Sequence, residues 1–283
     1  MRRRNEIFMP QSGKSEVVMR LGISWGCYPG VNAETQIALM QKNNFECTFL
    51  GTESPTLDED MRVIGTTDIL VENLHGPLSR ETSNVNDMWR NSERSEEMLA
   101  RLLDGVEKCA RYEVPTLVVH VTAGATPPRP NTRGYERFVQ VFDRARELGV
   151  TLACENVRPY GNLAFMLEQF EDAGFCWDVG HEAYASPGRQ FMPMFGKELK
   201  AVHIHDNMLD GDHHMIPYDG KIDFDRVARQ IAESPYEGSV MLELISRGHE
   251  MYEAVSAEEY YARAGRAAKR IEEKIAAYRR NRT

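Results

Sequence analysis

The stretch GFCWDVGHEAYASPGRQFMPMFGKELKAVHIH, residues 174–205, contains two short apolar runs that each end in an acid or an imidazole. The first run, GFCWD, ends at Asp178, and the second, AVHIH, ends at His203 and His205. Short runs rich in β-branched and aromatic residues are typical of strands, and the segment between them has helical character. The stretch therefore predicts a strand, a helix and a second strand, with polar side chains at both strand ends.

The same arrangement recurs along the chain. ILVENLH ends at His75, TLVVH at His120, VTLACE at Glu155 and VMLE at Glu243. Helical stretches separate successive runs, and this alternation predicts the α/β class and a (β/α)8 barrel, the TIM barrel. We predict a single barrel domain over residues 19–283. Its strands are predicted at 20–25, 46–51, 69–75, 116–121, 150–155, 174–178, 200–205 and 239–243, and its helices at 33–43, 57–64, 86–112, 134–148, 162–172, 188–197, 223–233 and 256–280.

In a barrel of this class the carboxyl ends of all strands meet on one face, so side chains distant in sequence can share one pocket. Of the eight histidines, only His249 lies away from the strand ends and the loop after the seventh strand. A single histidine at a strand end is ordinarily a hydrogen-bonded packing residue. Imidazoles and carboxylates together, however, are ligands for divalent cations, and buried acids need partners. The joint pattern predicts a metal site.

The loop after the seventh strand, DNMLDGDHHMIPYDGKIDF at 206–224, has a cluster of its own. Asp212 and His214, two positions apart, could both turn inward from an extended segment and add ligands. The alternative is that His213 and His214 are ordinary loop residues. Asp223 is a predicted N-cap for the helix that follows.

Composition limits the class of partner. A net charge of −9 gives no broad basic field for a nucleic acid, although a local basic patch stays compatible with it. Five cysteines without a CxxC pair indicate free thiols in a reducing cytoplasm. No apolar run approaches the roughly 18 to 20 residues of a membrane span, so we expect a soluble protein without membrane contact. Residues 1–18 lack the apolar core of a signal peptide, and we expect either a disordered leader or Met19 as the natural start.

Five motifs carry a resemblance to a known family: ENV at Glu155, WDVGH at 177–181, VHIHDN at 202–207, DHHMIPYDGKID at 212–223 and LEL around Glu243. They resemble motifs of the xylose isomerase-like TIM barrel superfamily, which includes sugar phosphate isomerases and epimerases and the endonuclease IV family. The resemblance covers nearly the whole chain from Met19. It implies that a divalent ion, Zn or Mn with Co or Mg as alternatives, is bound by Glu155, Asp178, His203 and Glu243.

The endonuclease IV family resembles this chain at five further positions, where that family binds three zinc ions: His75, His120, His181, Asp212 and His214. The resemblance therefore leaves the number of ions open between one and three. Ketose 3-epimerases of the superfamily carry an arginine six residues after the ligand histidine, where this chain has Leu209, so the sugar chemistry stays open. The loop after the third strand, at 76–90, offers only Arg80 and Arg90 to a nucleic acid.

We predict a metal-dependent isomerase or epimerase of a small sugar or sugar phosphate, in which a proton moves through a metal-stabilised enediolate. Glu155 and Glu243 would each bind metal through one oxygen and move the proton with the other. His181 would hydrogen-bond a substrate oxygen or bind a second ion, and further substrate contacts are predicted at His205, Lys221 and Arg247. The alternatives are a multi-zinc phosphodiesterase acting on abasic DNA, and a metal-binding barrel without catalysis. The resemblance is also compatible with a homo-oligomer.

Overall fold

The structure is a computed structural model that describes residues 18–78, 83–158 and 160–282. The expected leader lies outside the described residues except for Val18, and Arg80 lies outside them as well. Within the described part of the chain, eight parallel strands form one sheet in the order β7-β6-β5-β4-β3-β2-β1-β8. They are β1 (Leu21–Ile23), β2 (Cys47–Gly51), β3 (Leu70–His75), β4 (Thr116–His120), β5 (Thr151–Glu155), β6 (Gly174–Asp178), β7 (Leu199–His203) and β8 (Val240–Leu242).

The sheet closes on itself, as the sequence predicts. β1 pairs with β8 in parallel, and Ile204, directly after β7, forms a bridge to Leu242 of β8. Two backbone hydrogen bonds complete the closure, from Ile204 N to Met241 O at 2.9 Å and from Glu243 N to Ile204 O at 3.0 Å. The (β/α)8 barrel is confirmed, and all strand ends point to one mouth.

Helices surround this barrel. Those of the described residues are α1 (Ala33–Lys42), α2 (Leu57–Ile64), a 3-10 helix (Val85–Trp89), α3 (Arg94–Arg111), α4 (Thr132–Leu148), α5 (Tyr160–Gln169), α6 (Val179–Ala185), α7 (Met192–Phe195), α8 (Phe224–Glu233), α9 (Glu250–Glu253) and α10 (Ala257–Arg280). The predicted cap is confirmed, because the Asp223 side chain accepts hydrogen bonds from the N–H groups of Asp225 and Arg226.

Two predicted helices differ from the structure. The helix predicted at 86–112 is divided into the 3-10 helix and α3, because Arg90 takes an extended conformation and Ser92 starts a new turn. The helix predicted at 188–197 is reduced to α7, and α6 begins directly after β6 instead. The reason is the side chain of Asp178, which caps α6 by accepting a hydrogen bond from the N–H of His181.

Strand alternation places the predicted ligands in one layer of the barrel. Val118, Ala153, Cys176 and Ala201 form a small apolar cluster inside the barrel. Successive residues of a strand face opposite sides, so the next inward position on each of these four strands lies two residues later. Those positions are His120, Glu155, Asp178 and His203. The apolar cluster is therefore the floor beneath the polar mouth.

The apolar residues beside the predicted ligands belong to the core. All five cysteines are buried and free of disulfides, and burial raises the pKa of the Cys154 and Cys176 thiols to about 12. Trp177 points away from the mouth, where its Nε1 donates to Glu182 Oε2 at 2.9 Å. None of the described helices combines the length and the apolar character that crossing a bilayer requires.

Gly134 of α4 provides a test of the packing outside the barrel. A Cβ at this position would lie 1.9 Å from Cε3 of Trp89, which is buried and donates to the carbonyl of Val121. We expect Gly134→Ala to lower the free energy of unfolding by about 1 to 3 kcal/mol, because a rigid indole must move. The measurement is chemical denaturation followed by circular dichroism.

Gly161 of α5 is the matched control, since a Cβ there would meet no atom within 4 Å. We expect Gly161→Ala to leave the free energy of unfolding unchanged or to raise it by up to about 1 kcal/mol, as alanine favours helix. Equal stability of both variants would contradict the packing of Trp89 against Gly134.

Candidate metal centre

Glu155 lies at the centre of the barrel mouth. It ends β5 and is only 1% exposed. Its Oε2 atom is 3.2 Å from Nε2 of His75 and 3.2 Å from Nε2 of His120, the last residues of β3 and β4. Its Oε1 atom is 3.1 Å from Nδ1 of His181, in the first turn of α6. One carboxylate thus brings together three imidazoles from separate elements.

The four residues of the predicted isomerase ligand set converge on the same point. Glu155, Asp178, His203 and Glu243 each offer one ligand atom within 4.8 Å of the others. Nδ1 of His203 is 3.4 Å from Glu243 Oε2 and 3.7 Å from Glu155 Oε1. The ring of His203 stacks on Phe49, with 4.7 Å between the centroids, which fixes its plane. The sequence separation of these residues is therefore no obstacle to a common site.

The five additional positions lie around this set. His75, His120 and Glu155 form a second group with ligand atoms within 4.8 Å, and His205, Asp212 and His214 form a third. Asp212 connects the groups, because Oδ2 lies 3.2 Å from His181 Nε2 and Oδ1 lies 3.3 Å from His214 Nε2. His205, predicted as a substrate contact, is fully buried with Nε2 3.3 Å from Asp178 Oδ1. Its position within the cluster is that of a ligand or of a support for one.

Unpaired polar atoms test whether these residues fit a metal ion. Among the described residues, fourteen buried side-chain nitrogen or oxygen atoms make no hydrogen bond of suitable distance and angle, and eight of them belong to this cluster. They are His120 Nε2, Glu155 Oε1, Asp178 Oδ2, His181 Nδ1, both ring nitrogens of His203, His205 Nε2 and Glu243 Oε2. Buried polar atoms without partners are costly, and these are nitrogen and oxygen donors of the kind that divalent cations take. The donor set therefore fits one divalent cation or more.

The charges of the cluster point the same way. Burial alone would lower the pKa of His181 and raise that of Glu155, because both groups are out of water. Opposite charges prevail: Asp178 and Asp212 hold the pKa of His181 well above its usual value, and His120 and His181 hold that of Glu155 well below its usual range. Despite burial, Glu243 and Asp212 raise the pKa of His214 to about 9. The carboxylates therefore hold protons on the imidazoles, and a bound metal cation would supply that positive charge instead.

Hydrogen bonds at the strand ends hold the ligands in place. The side chain of Asn156 donates to the carbonyl of Asp178 and accepts from its N–H, both at 2.8 Å, which aligns the ends of β5 and β6. Asp206 is fully buried and accepts from the N–H groups of Asn207, Tyr218, Gly220 and Ile222. It therefore shapes the loop that carries Asp212 and His214. Both residues lie within quoted motifs, ENV at 155–157 and VHIHDN at 202–207, but neither was predicted to have a role of its own.

The side chains of two residues predicted to bind substrate, Lys221 and Arg247, show no contact with the cluster among the described residues. Lys221 is exposed and lines a cavity of about 260 Å³ together with Glu182 and Arg226. Arg247 is exposed in the loop after β8. Their roles stay predictions.

Comparison with known proteins places the chain among barrels of related shape. A sequence model described as "Xylose isomerase-like TIM barrel" matches residues 32–272. The chain is 34% identical over 146 residues to the uncharacterized protein y4fM of Sinorhizobium fredii (strain NBRC 101917 / NGR234). That match spans 51% of this chain and 44% of the relative, so less than half of the relative's length is covered.

Two solved structures are similar over nearly their whole length. D-psicose 3-epimerase from Clostridium cellulolyticum H10, solved with D-tagatose, has 14% identity and a TM-score of 0.72, with 91% of this chain and 99% of that chain covered. The IOLI protein, solved with a bound zinc atom, has 17% identity and a TM-score of 0.67, with 92% and 99% covered. At these identities the similarity establishes the fold.

The ligand assignment predicts the metal content of two kinds of variant. We expect the purified protein to hold at least one divalent ion, and His203→Ala to bind it at least about tenfold more weakly, because a ligand position becomes vacant. Elemental analysis of the purified proteins measures the stoichiometry. Absence of metal from the unsubstituted protein, or unchanged metal in His203→Ala, would contradict the assignment.

Neighbouring histidines of the loop after β7 provide a matched pair for further ions. His214 belongs to the cluster, whereas His213 has Nε2 3.6 Å from Asp210 and Nδ1 accepting from Met208 N–H. If the third ligand group holds an ion, His214→Ala lowers the stoichiometry and His213→Ala does not. Equal effects of the two substitutions would show a general loosening of the loop.

Proposed function

Because the chain belongs to the xylose isomerase-like TIM barrel family, we propose that it is a metal-dependent isomerase or epimerase of a small sugar or sugar-like polyol. The proposal is supported by the similar D-psicose 3-epimerase, whose fold this chain shares. The carrying observation, however, comes from the site itself, in the two glutamates on either side of His203.

Glu155 and Glu243 each have a buried oxygen atom that makes no hydrogen bond of suitable distance and angle among the described residues. These atoms, Glu155 Oε1 and Glu243 Oε2, lie 3.7 and 3.4 Å from the same nitrogen, His203 Nδ1. A carboxylate with two oxygens can bind a cation with one and exchange a proton with the other. Two such carboxylates near the same point can remove a proton from a carbon next to a carbonyl group and then return one.

A divalent cation at this site would supply Lewis-acid polarisation of adjacent carbonyl and hydroxyl oxygens of an open-chain sugar. Glu155 would take the proton from the carbon, leaving an enediolate. Glu243, holding a proton of its own, would give it to the opposite face of the same carbon in epimerisation or to the neighbouring carbon in isomerisation, where the hydroxyl proton of the first carbon would also pass to the former carbonyl oxygen. Exchange with water would then restore the two glutamates to their starting protonation states. Their roles could also be exchanged. His181, whose Nε2 lies 3.2 Å from Asp212, would donate to a substrate oxygen when protonated.

A second candidate function is a multi-zinc phosphodiesterase acting on abasic DNA. It is favoured by the two further ligand groups, His75 with His120 and Glu155, and His205 with Asp212 and His214. It would need a cationic surface for the DNA backbone, because phosphate contacts dominate the affinity of such complexes. The net charge of −9 argues against it.

Replacing one glutamate separates proton transfer from metal binding. We expect Glu243→Gln to lower solvent-deuterium exchange into a substrate carbon by about 10²- to 10⁴-fold, because the amide keeps the size of the side chain but is no base. Metal content should fall only modestly. The measurement is NMR in deuterium oxide across a panel of ketoses, aldoses and their phosphates.

The control is Glu72→Gln. Glu72 lies on β3 in contact with Arg20 and Ser239, which precede β1 and β8 at the opposite end of the barrel, and none of its contacts with described residues reaches the cluster. We expect this variant to keep the exchange rate. Cleavage of abasic DNA by the pure protein, with no exchange across the whole panel, would favour the phosphodiesterase instead.

A further inference from the structure

Arg158 is a cation of the barrel mouth that has no carboxylate partner among the described residues. It lies three residues after Glu155, in the loop between β5 and α5, and is partly exposed. Its guanidinium carbon is 5.5 Å from the ring centroid of Tyr184. Several other partly buried cations are paired with carboxylates, such as Arg101 with Glu53 at 2.7 Å and Arg226 with Glu182 at 2.6 Å.

Tyr184 connects Arg158 to the metal cluster. It lies on α6 three residues after His181, so the two side chains share one face of the helix. Their ring centroids are 6.1 Å apart. Tyr184 is therefore in contact with both the Arg158 guanidinium and the ring of His181.

The backbone of Arg158 is held in place from below. The hydroxyl of Ser186, which is 2% exposed, donates to the carbonyl of Arg158 at 2.8 Å. Two residues before Arg158, Asn156 is bound to the end of β6 by its paired hydrogen bonds with Asp178. Residues 156 and 158 are thus attached to α6 and β6, the elements that carry His181 and Asp178. The side chain of Arg158 therefore extends from a fixed backbone position.

We propose that Arg158, supported by Tyr184, binds an anionic group of the substrate, either a phosphate or a carboxylate. The inference rests on the proposed function, because the anion belongs to the sugar whose oxygens lie at the metal centre. A guanidinium presents a planar fork of donors that matches the oxygens of phosphate and carboxylate groups. A neutral sugar would leave this charge unused, whereas an anionic sugar would complete its hydrogen bonds. The substrate class is therefore a sugar phosphate or a sugar acid.

Binding of simple anions to the metal-containing protein tests the proposal. Inorganic phosphate and acetate are titrated separately by calorimetry into the unsubstituted protein, Arg158→Gln and Arg158→Lys. We expect at least one anion to bind, and Arg158→Gln to weaken its binding about tenfold or more, because a charge-assisted hydrogen bond is lost. Arg158→Lys should retain an intermediate affinity, and all variants should keep their metal content. Preference for phosphate would indicate a sugar phosphate, and preference for acetate a sugar acid.

Arg189 is the matched control. Its guanidinium carbon also lies 5.5 Å from a tyrosine ring, that of Tyr160, but Arg189 is exposed and, within the described part of the chain, none of its contacts reaches the ligand cluster. We expect Arg189→Gln to bind the anion within about twofold of the unsubstituted protein. Three results would overturn the proposal: no binding of either anion, unchanged binding in Arg158→Gln, or equal weakening in Arg158→Gln and Arg189→Gln.

A loss of binding in Lys221→Gln but not in Arg158→Gln would also overturn it, and would move the anion to the cavity beside Arg226. The anion measurement does not depend on turnover. Binding through Arg158 without deuterium exchange would refute the isomerase and keep the anion site. Exchange on neutral sugars without anion binding would support the isomerase and refute the anion site at Arg158.

Discussion

The carboxylate of Glu155 is almost fully buried, and imidazoles from β3, β4, α6 and β7 lie within 3.1 to 3.7 Å of its oxygens. A buried carboxylate without compensation costs several kcal/mol even after the protein relaxes. Three more carboxylates, of Asp178, Asp212 and Glu243, lie in the same cluster. Positive charge must therefore accompany them, as protons on the imidazoles or as a metal cation. The arrangement of the mouth follows from this requirement.

The barrel can hold such a cluster because the predicted ligands lie at the ends of rigid strands. The apolar floor of Val118, Ala153, Cys176 and Ala201 keeps water out from below. Hydrogen bonds of Asn156 and Asp206 fix the segments that leave the strands. A site built this way loses little conformational entropy when a cation binds, since its ligands are already ordered. Ligand geometry and fold stability are thereby coupled.

The two candidate functions share their ligands and differ in what surrounds them. A nuclease requires cations along a surface that can follow a phosphate backbone. Several cations of this chain are instead paired on the outer helices, as Arg144 is with Glu107 and Arg146 with Asp172. The proposal of a small anionic sugar needs only one cation near the cluster. The proposed role of Arg158 meets that need, and its backbone is held in place by Ser186 and, two residues earlier, by the bonds of Asn156 with the backbone of Asp178.

Two helices were predicted incorrectly, because their bounds depend on interactions that local sequence patterns do not contain. The sequence predicted continuous helix at 86–112, but Arg90 is extended there, and the bond from Asn131 Nδ2 to the carbonyl of Trp89 comes from a distant loop. The sequence patterns also predicted no helix directly after β6, because Asp178 was interpreted as a ligand and not as a helix cap. In the structure the same carboxylate caps α6 as well. One side chain has two roles, and only the fold reveals the second.

By itself, the sequence determined the eight strands, the barrel and the layer of acid and imidazole side chains at the strand ends. Period-two alternation fixes which side chains face inward, so His203 and His205 had to share a side whatever the loops did. Only the tertiary structure decided that Glu155 is shared by several imidazoles. It also decided that the side chain of Arg158 has contacts leading to the cluster, whereas those of Lys221 and Arg247 show none among the described residues. Loops have no such period, and the position of a loop side chain depends on contacts with residues far away in the chain.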